Sequence, residues 1–179
     1  VWTQHYGDHL LNAQSKVCRF EDVGDEWEEF FIRPCEDTKS FSGKVYDWVE
    51  FDTWRRRVID LRETYTTLDA DTMVMYGPAR KIYREARFFV VDGEIVTGST
   101  YKVGHRVHYT DEIPPTTMDY AKRMVDLWQP ARAFVIDIAL TDDEDDGYNK
   151  VIEINNINSS GFYACDLQKF VMAIEHMEF

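Results

Sequence analysis

The sequence predicts an α+β fold, with antiparallel hairpins forming the sheets and helices laid over them. Two hairpins and a set of amphipathic helices predict it. Residues 82–91 and 94–101 are β-branched and aromatic runs joined by Asp92-Gly93, a pair that suits a two-residue hairpin turn. Residues 133–140 and 148–154 form a second such pair around the acidic turn 141–147. Apolar residues at three- and four-residue spacing mark helices between and after these hairpins. Such an order gives antiparallel sheet with helices on one face.

The elements follow in order. Residues 1–26 are mixed and polar, with Gly7 and Gly24, and read as loop with one short strand near 16–20. Residues 27–33 (WEEFFIR) are dense in aromatic and β-branched side chains and read as a strand that Pro34 stops. The turn-rich stretch 35–44 (CEDTKSFSGK) leads into a short strand over 45–49. From 50 to 64, Phe51, Trp54, Val58 and Leu61 recur at helical spacing with arginines between them. Residues 72–76 form an apolar strand that Gly77-Pro78 breaks. Pro114-Pro115 precedes a helix over 116–128, and Pro130 ends it. The last stretch, 163–178, is helical, with Leu167, Phe170, Val171 and Ile174 on one side. No internal repeat occurs, and the acidic turn is the one low-complexity segment.

Composition narrows the classes. The 179 residues are 44% apolar and 15% aromatic, enough to bury a core, so disorder is a poor reading despite 30% charged residues. A net charge of −13 opposes a nucleic-acid partner, which needs a basic groove. Three cysteines, Cys18, Cys35 and Cys165, form no CxxC pair, and a reduced cytoplasmic protein is expected. No apolar run reaches the roughly 18–20 residues of a membrane-spanning helix, and no secretory signal opens the chain. Val1 stands first in place of Met, which points to a trimmed or processed start.

The chemistry concentrates in Asp137 and in Glu153-Ile-Asn155. Glu153 and Asn155 are two apart on a strand, so both leave the same face. Asp137 lies on the partner strand of the same hairpin. Two carboxylates and an amide oxygen are hard donors suited to Mg²⁺ bound with nucleotide phosphates. The competing reading is structural pairing of these buried acids with an arginine. Burying acids without a counter-charge is costly, and two on adjacent strands favour metal ligation.

An Asp on one strand, a turn, and Glu-x-Asn on the next resemble the Mg-binding hairpin of the ATP-grasp superfamily. Asn156–Gly161 (NINSSG) resembles the small-residue loop that follows it. Glu85-Ala-Arg87 within YREARFFVVDG resembles the opening strand of the second ATP-grasp lobe, as in the branch that ligates glutamate to peptides. FFIRP, ending in Arg33-Pro34, resembles the strand, basic residue and Pro that contact phosphates. The stretches FIRPCEDTKSFSGKVY and NSSGFYACD resemble a family of uncharacterised bacterial and phage ATP-grasp proteins. Together these segments cover the chain from about Trp27 onward.

The resemblance implies two α+β lobes whose antiparallel sheets clamp the nucleotide. The first lobe would be 27–76 and the second 77–179, with 1–26 a remnant of an N-terminal segment. That segment is too short for the extra α/β unit such enzymes carry, so the unit was removed or the version is minimal. It implies ATP and Mg²⁺ as cofactors, with Asp137, Glu153 and Asn155 as metal ligands. Arg33, Lys39, Lys44, Met75, Tyr76, Lys81 and Glu85 would contact the nucleotide, and Arg87 and Lys102 would act in catalysis. Arg33 stands where the family carries Lys and is not equivalent to it. Lys39 or Lys44 would supply the ammonium, Lys39 being favoured. Ser40, Ser42 and Gly43 would offer backbone N–H groups to phosphates. No Walker-type loop occurs.

Each residue has a plainer reading. Arg33 and Lys39 could form surface ion pairs with Glu36 and Asp37. Glu85 and Arg87 could form an ion pair. Residues 73–78 could be a core strand. Lys102 and Arg106 could belong to a solvated basic loop, which also holds His105 and His108, read as surface residues. Cys165 reads as a buried structural thiol, and 142–146 as a solvated turn without EF-hand spacing. The implied activity is an ADP-forming carboxylate–amine ligase working through an acyl phosphate on small-molecule or peptide substrates. A small-molecule kinase and a non-catalytic nucleotide-binding module are the alternatives.

Overall fold

The computed structural model describes residues 2–35, 40–61, 67–142 and 148–177. Chain order is α1 (Trp2–Tyr6), β1 (Lys16–Arg19), β2 (Glu29–Pro34), β3 (Lys44–Asp47), α2 (Trp48–Leu61), β4 (Met73–Pro78), β5 (Ile82–Val91), β6 (Glu94–Val103), β7 (Arg106–Thr110), α3 (Pro115–Leu127), β8 (Ala133–Thr141), β9 (Asn149–Asn155) and α4 (Leu167–Glu175). Short 3-10 turns lie at Gly7–His9, Phe20–Asp22 and Ile157–Ser159. The expected α+β class holds, with two antiparallel sheets. The chain divides into two compact units: Gln14–Arg80, and Val1–Ala13 together with Lys81–Phe179.

The Gln14–Arg80 unit carries a four-stranded sheet ordered β1-β4-β2-β3. Along β2 the side chains alternate, so Phe30 and Ile32 are fully buried while Arg33 is exposed. α2 starts at Trp48, two residues before the predicted start. Its first turn is capped by the Asp47 carboxylate, which accepts the Glu50 N–H at 2.8 Å. Phe51 on α2 is fully buried. Its ring meets Phe20, Phe30, Tyr46, Trp48 and Trp54 at centroid distances from 5.1 to 6.0 Å. Aromatic burial thus supplies most of this small core, each such ring contributing about 1.5–3 kcal/mol.

The other unit carries a five-stranded sheet ordered β7-β6-β5-β8-β9. One face buries Ala86, Phe88, Val90, Phe134, Ile136 and Ile138 against Tyr120, Ala121, Met124 and Val125 of α3. The opposite face buries Phe89, Val91 and Val135 against Phe170 of α4. The prediction of helices on one face is therefore corrected. β5 and β8 are apolar at nearly every position because both of their faces are covered.

Three further details differ from the sequence reading. Residues 2–6 are helical, a length too short for any period to register. Tyr6 is 1% exposed within the five-stranded unit's core and donates its hydroxyl to the Trp128 carbonyl at 3.1 Å. The segment read as a basic loop after Tyr101 is a hairpin: β6 runs to Val103, and β7 returns as an edge strand. Gly104, at φ 56°, makes that turn possible, as Asp92 and Gly93 at φ 47° and 84° do for β5–β6. Of residues 1–26, expected as one piece, 1–13 belong to the five-stranded unit, whereas β1 pairs with β4 in the other.

Candidate active site

The α4 face of the five-stranded sheet carries a row of charged side chains. Asp137, mid-β8, is the Cα partner of Arg87 on β5 and of Glu153 on β9. Antiparallel partners point to the same face, so the three side chains stand in line. Asn155, two residues beyond Glu153, joins them, and its amide nitrogen donates to Glu153 Oε1 at 2.8 Å. A register shift between Asp137 and Ile138 puts an extra residue, Ile152, into β9 beside the row. Such bulges re-aim side chains and recur next to active sites.

Asp137 is 1% exposed, and Arg87 is nearly as buried. The guanidinium Nε and one terminal nitrogen donate to the two Asp137 oxygens at 2.9 and 2.7 Å. Its other terminal nitrogen reaches the Gly161 carbonyl at 3.4 Å. Burial pushes the Asp137 carboxyl up to about 6; Arg87 opposes that shift, and the nearby Glu153 and Glu85 charges add to it. The Asp137 carboxylate in turn holds Arg87 firmly protonated.

Two residues along β5, Glu85 receives two donors, Tyr101 Oη at 2.8 Å and Lys102 Nζ at 2.6 Å. Adjacent residues reach one carboxylate because β6 holds an extra residue between the pairs Glu85–Lys102 and Ala86–Thr100. Burial drives the Tyr101 hydroxyl well above its ordinary range. Glu85 thus pairs with Lys102, and Arg87 with Asp137, in place of a Glu85–Arg87 pair.

The donor set fits a small divalent cation. The Glu153 charge raises the cost of ionising Asp137, which a cation would relieve. Each Asp137 oxygen accepts one hydrogen bond, and a carboxylate has about four lone-pair sites, so capacity remains. Among the described residues no three His, Cys, Asp or Glu side chains cluster as a metal site; the third donor here is an amide.

The remaining predicted residues scatter. Arg33 and Met75 are Cα partners in the four-stranded sheet and share its open face. Gly43 lies against them; a Cβ there would come within 2.7 Å of the Phe31 ring and 3.3 Å of Arg33 Cβ. Lys44 partners Ile32, on the face that also holds the core, and its ammonium lies over the Tyr46 ring at 4.3 Å. The Tyr76 ring is committed to that core, its hydroxyl donating to the Glu26 carboxylate at 3.1 Å, so only its backbone is available to a ligand. Lys81 is exposed and lies over Tyr83. Lys39, with Glu36 and Asp37, lies outside the described residues, as do 143–147 of the acidic turn. His105 and His108 are exposed. The Cys165 thiol is pushed up to about 11 by burial.

Sequence reasoning missed three tyrosines beside Arg87. Tyr101 stacks on Tyr163 with centroids 5.1 Å apart, and Tyr109 stacks on Tyr163 at 4.9 Å. They come from β6, β7 and the segment before α4, and no spacing in the sequence could announce their meeting.

A family model described as an ATP-grasp domain, clade family 3, matches residues 3–174. A search of the curated proteins finds no match. Among solved structures, D-cycloserine synthetase DcsG is similar over 97% of this chain and 67% of its own, at 15% identity and a TM-score of 0.55. The ATP complex of D-alanine–D-alanine ligase from Bacillus anthracis is similar over 94% of this chain and 59% of its own, at 14% identity and a TM-score of 0.58. L-amino acid ligase from Bacillus licheniformis is similar over 89% of this chain and 40% of its own, at 12% identity and a TM-score of 0.56. These likenesses are likenesses of fold, and this chain spans 40% to 67% of the length of those proteins.

Proposed function

Because the chain belongs to the ATP-grasp domain family, we propose that it is the catalytic part of an ADP-forming ligase. The enzyme would join a carboxylate to an amine on a small-molecule or peptide substrate. The observation that carries the reading is the Asp137–Glu153 strand pair with Asn155 beside it.

In this reading Asp137, Glu153 and Asn155 hold Mg²⁺, which when bound neutralises charge on the ATP phosphates. The substrate carboxylate attacks the γ-phosphorus; ADP leaves and an acyl phosphate forms. The amine then attacks the acyl carbon, phosphate departs, and the amine gives up a proton. Arg87, held protonated in the row, faces the negative charge that develops at the transferred group. Lys102 is 39% exposed and serves the anionic end of the acyl phosphate. Arg33, Met75, Lys44 and Lys81 are assigned to the nucleotide, Glu85 to its ribose side, and Lys39 to the phosphates. The protein itself contributes mainly position and charge. A reducing cytoplasmic setting fits three cysteines without a disulfide.

The test is release of ADP and phosphate from Mg-ATP with amino acids and short peptides as substrates. Glu153→Gln should abolish turnover and leave the thermal midpoint in place. Turnover retained in that variant would refute the reading.

A further inference from the structure

Tyr101, Tyr163 and Tyr109 form a three-ring ladder that starts beside Arg87 and ends in solvent. The Tyr101–Tyr163 and Tyr163–Tyr109 planes are inclined by 23° and 25°, so both contacts are stacked. The Arg87 guanidinium lies 5.6 Å from the Tyr101 centroid and 5.1 Å from the Tyr163 centroid. Exposure grows outward to 40% at Tyr163 and 56% at Tyr109. Tyr163 sits at φ 53°, a region a bulky residue rarely takes. It is held there because its neighbours are fixed. Gly161 O accepts from Arg87, the Ala164 N–H reaches Ser99 Oγ at 3.2 Å, and the Asp166 N–H reaches Thr97 Oγ1 at 2.7 Å. Strained residues of this kind cluster at ligand-binding sites.

Charge at the open end has one sign. Residues 95–110 contain Lys102, His105, Arg106 and His108 and no Asp or Glu, in a chain of net charge −13. Lys102 springs from the same bulge as Tyr101 and is half-exposed, with its ammonium on Glu85.

We propose that the exposed Tyr109 and Tyr163 rings, with Lys102 beside them, form the side-chain subsite for an aromatic carboxylate substrate. This names the substrate class of the ligase reading and rests on it: an aromatic amino acid, or a peptide ending in one. The substrate ring continues the ladder at the spacing its members already keep, which is the offset-stacked range aromatic pairs favour. Its carboxylate lies toward Lys102 and the Arg87–Asp137 row, where the acyl phosphate forms. Tyrosine suits such a wall because it orders a large contact area with few rotatable bonds.

Two measurements test it. In equilibrium titration without nucleotide, 3-phenylpropionate should bind at least tenfold more tightly than butyrate. Tyr109→Ala and Tyr163→Leu should erase that preference, and Tyr109→Phe, which keeps the ring, should retain it. With Mg-ATP and hydroxylamine as trapping nucleophile, hydroxamate formation should show a lower KM for phenylalanine than for alanine, and Tyr109→Ala should close the gap. Equal binding of the two acids, or a preference that survives Tyr109→Ala, overturns the proposal. So does a Tyr109→Ala defect that falls on the KM for ATP, since that would make the ladder an adenine site. Absence of ADP and hydroxamate with every acid would instead sink the ligase reading, and the titration would still decide the subsite.

Discussion

Arg87 and Asp137 face each other on adjacent strands, with both carboxylate oxygens occupied at 2.9 and 2.7 Å and both residues buried. The arginine therefore has two tasks. It neutralises an acid at the centre of the sheet, and it presents its remaining nitrogen and its flat face to the segment 161–163.

Breaking this pair from one side should be expensive. Arg87→Met leaves a buried carboxylate uncompensated and should cost about 3–5 kcal/mol of stability. Removing both charges, in Arg87→Met with Asp137→Leu, should recover most of that, because the desolvation cost goes too. Urea unfolding of the single and double variants measures the coupling. A double variant no more stable than Arg87→Met would show that the pair is not the source of the loss.

The cysteines should react in a fixed order. Cys35 is exposed, whereas Cys165 is partly buried, and burial holds its thiol near 11. At pH 7.5 the Cys165 thiolate is then on the order of one part in a thousand or less. A disulfide-exchange reagent should label Cys35 first. Cys165 labelling should rise about tenfold per pH unit toward 11, since the thiolate is the nucleophile. Mass spectrometry of partly labelled protein reads the order, and fast Cys165 labelling at neutral pH would contradict the burial argument.

The legible parts of the fold were those with a period or a turn signal. The Asp92-Gly93 hairpin, the Phe51–Trp54–Val58 stripe and the alternation through Phe30 and Ile32 each follow from local geometry. So does the meeting of Asp137 with Glu153, because a hairpin brings its own strands together. The illegible parts depend on long-range docking. The helix at Trp2–Tyr6 has too few residues for a period, and its stability comes from Tyr6 packing in a core built more than 80 residues later. Arg87 pairs with Asp137 because β5 and β8 are neighbours, a choice of strand order that neither strand encodes. The tyrosine ladder draws on three separate segments for the same reason.

Tyr6 sets a limit at alkaline pH. Burial holds its hydroxyl proton up to about 12, against an ordinary value of 10.0. Below 10 both folded and unfolded chains keep the proton, and the contribution is fully present. As pH rises from 10 through about 12, the unfolded chain ionises first, so the stability contribution is lost across that window. Tyr6→Phe removes this slope while losing the hydrogen bond to Trp128. Urea midpoints from pH 9 to 12 should therefore show the wild type losing stability relative to Tyr6→Phe above pH 10. Parallel curves would mean that Tyr6 is not the titrating group.

Gly98 should tolerate no side chain. It lies on β6 opposite Phe88, and an added Cβ would come within 2.7 Å of Phe88 Cδ1 and 2.9 Å of Ile113 Cδ1. Phe88 is fully buried and cannot swing out to relieve the clash. Alanine would gain about 0.4–1 kcal/mol by restricting the unfolded chain, but overpacking costs about 1–3 kcal/mol. Gly98→Ala should therefore be net destabilising by about 1–2 kcal/mol. Phe88→Leu alone opens a cavity and is destabilising too. Combined, the two changes fill each other's space, so the double variant should lose less than the sum of the singles in a denaturant-unfolding cycle. Strict additivity would place the strain of Gly98→Ala somewhere other than the Phe88 ring.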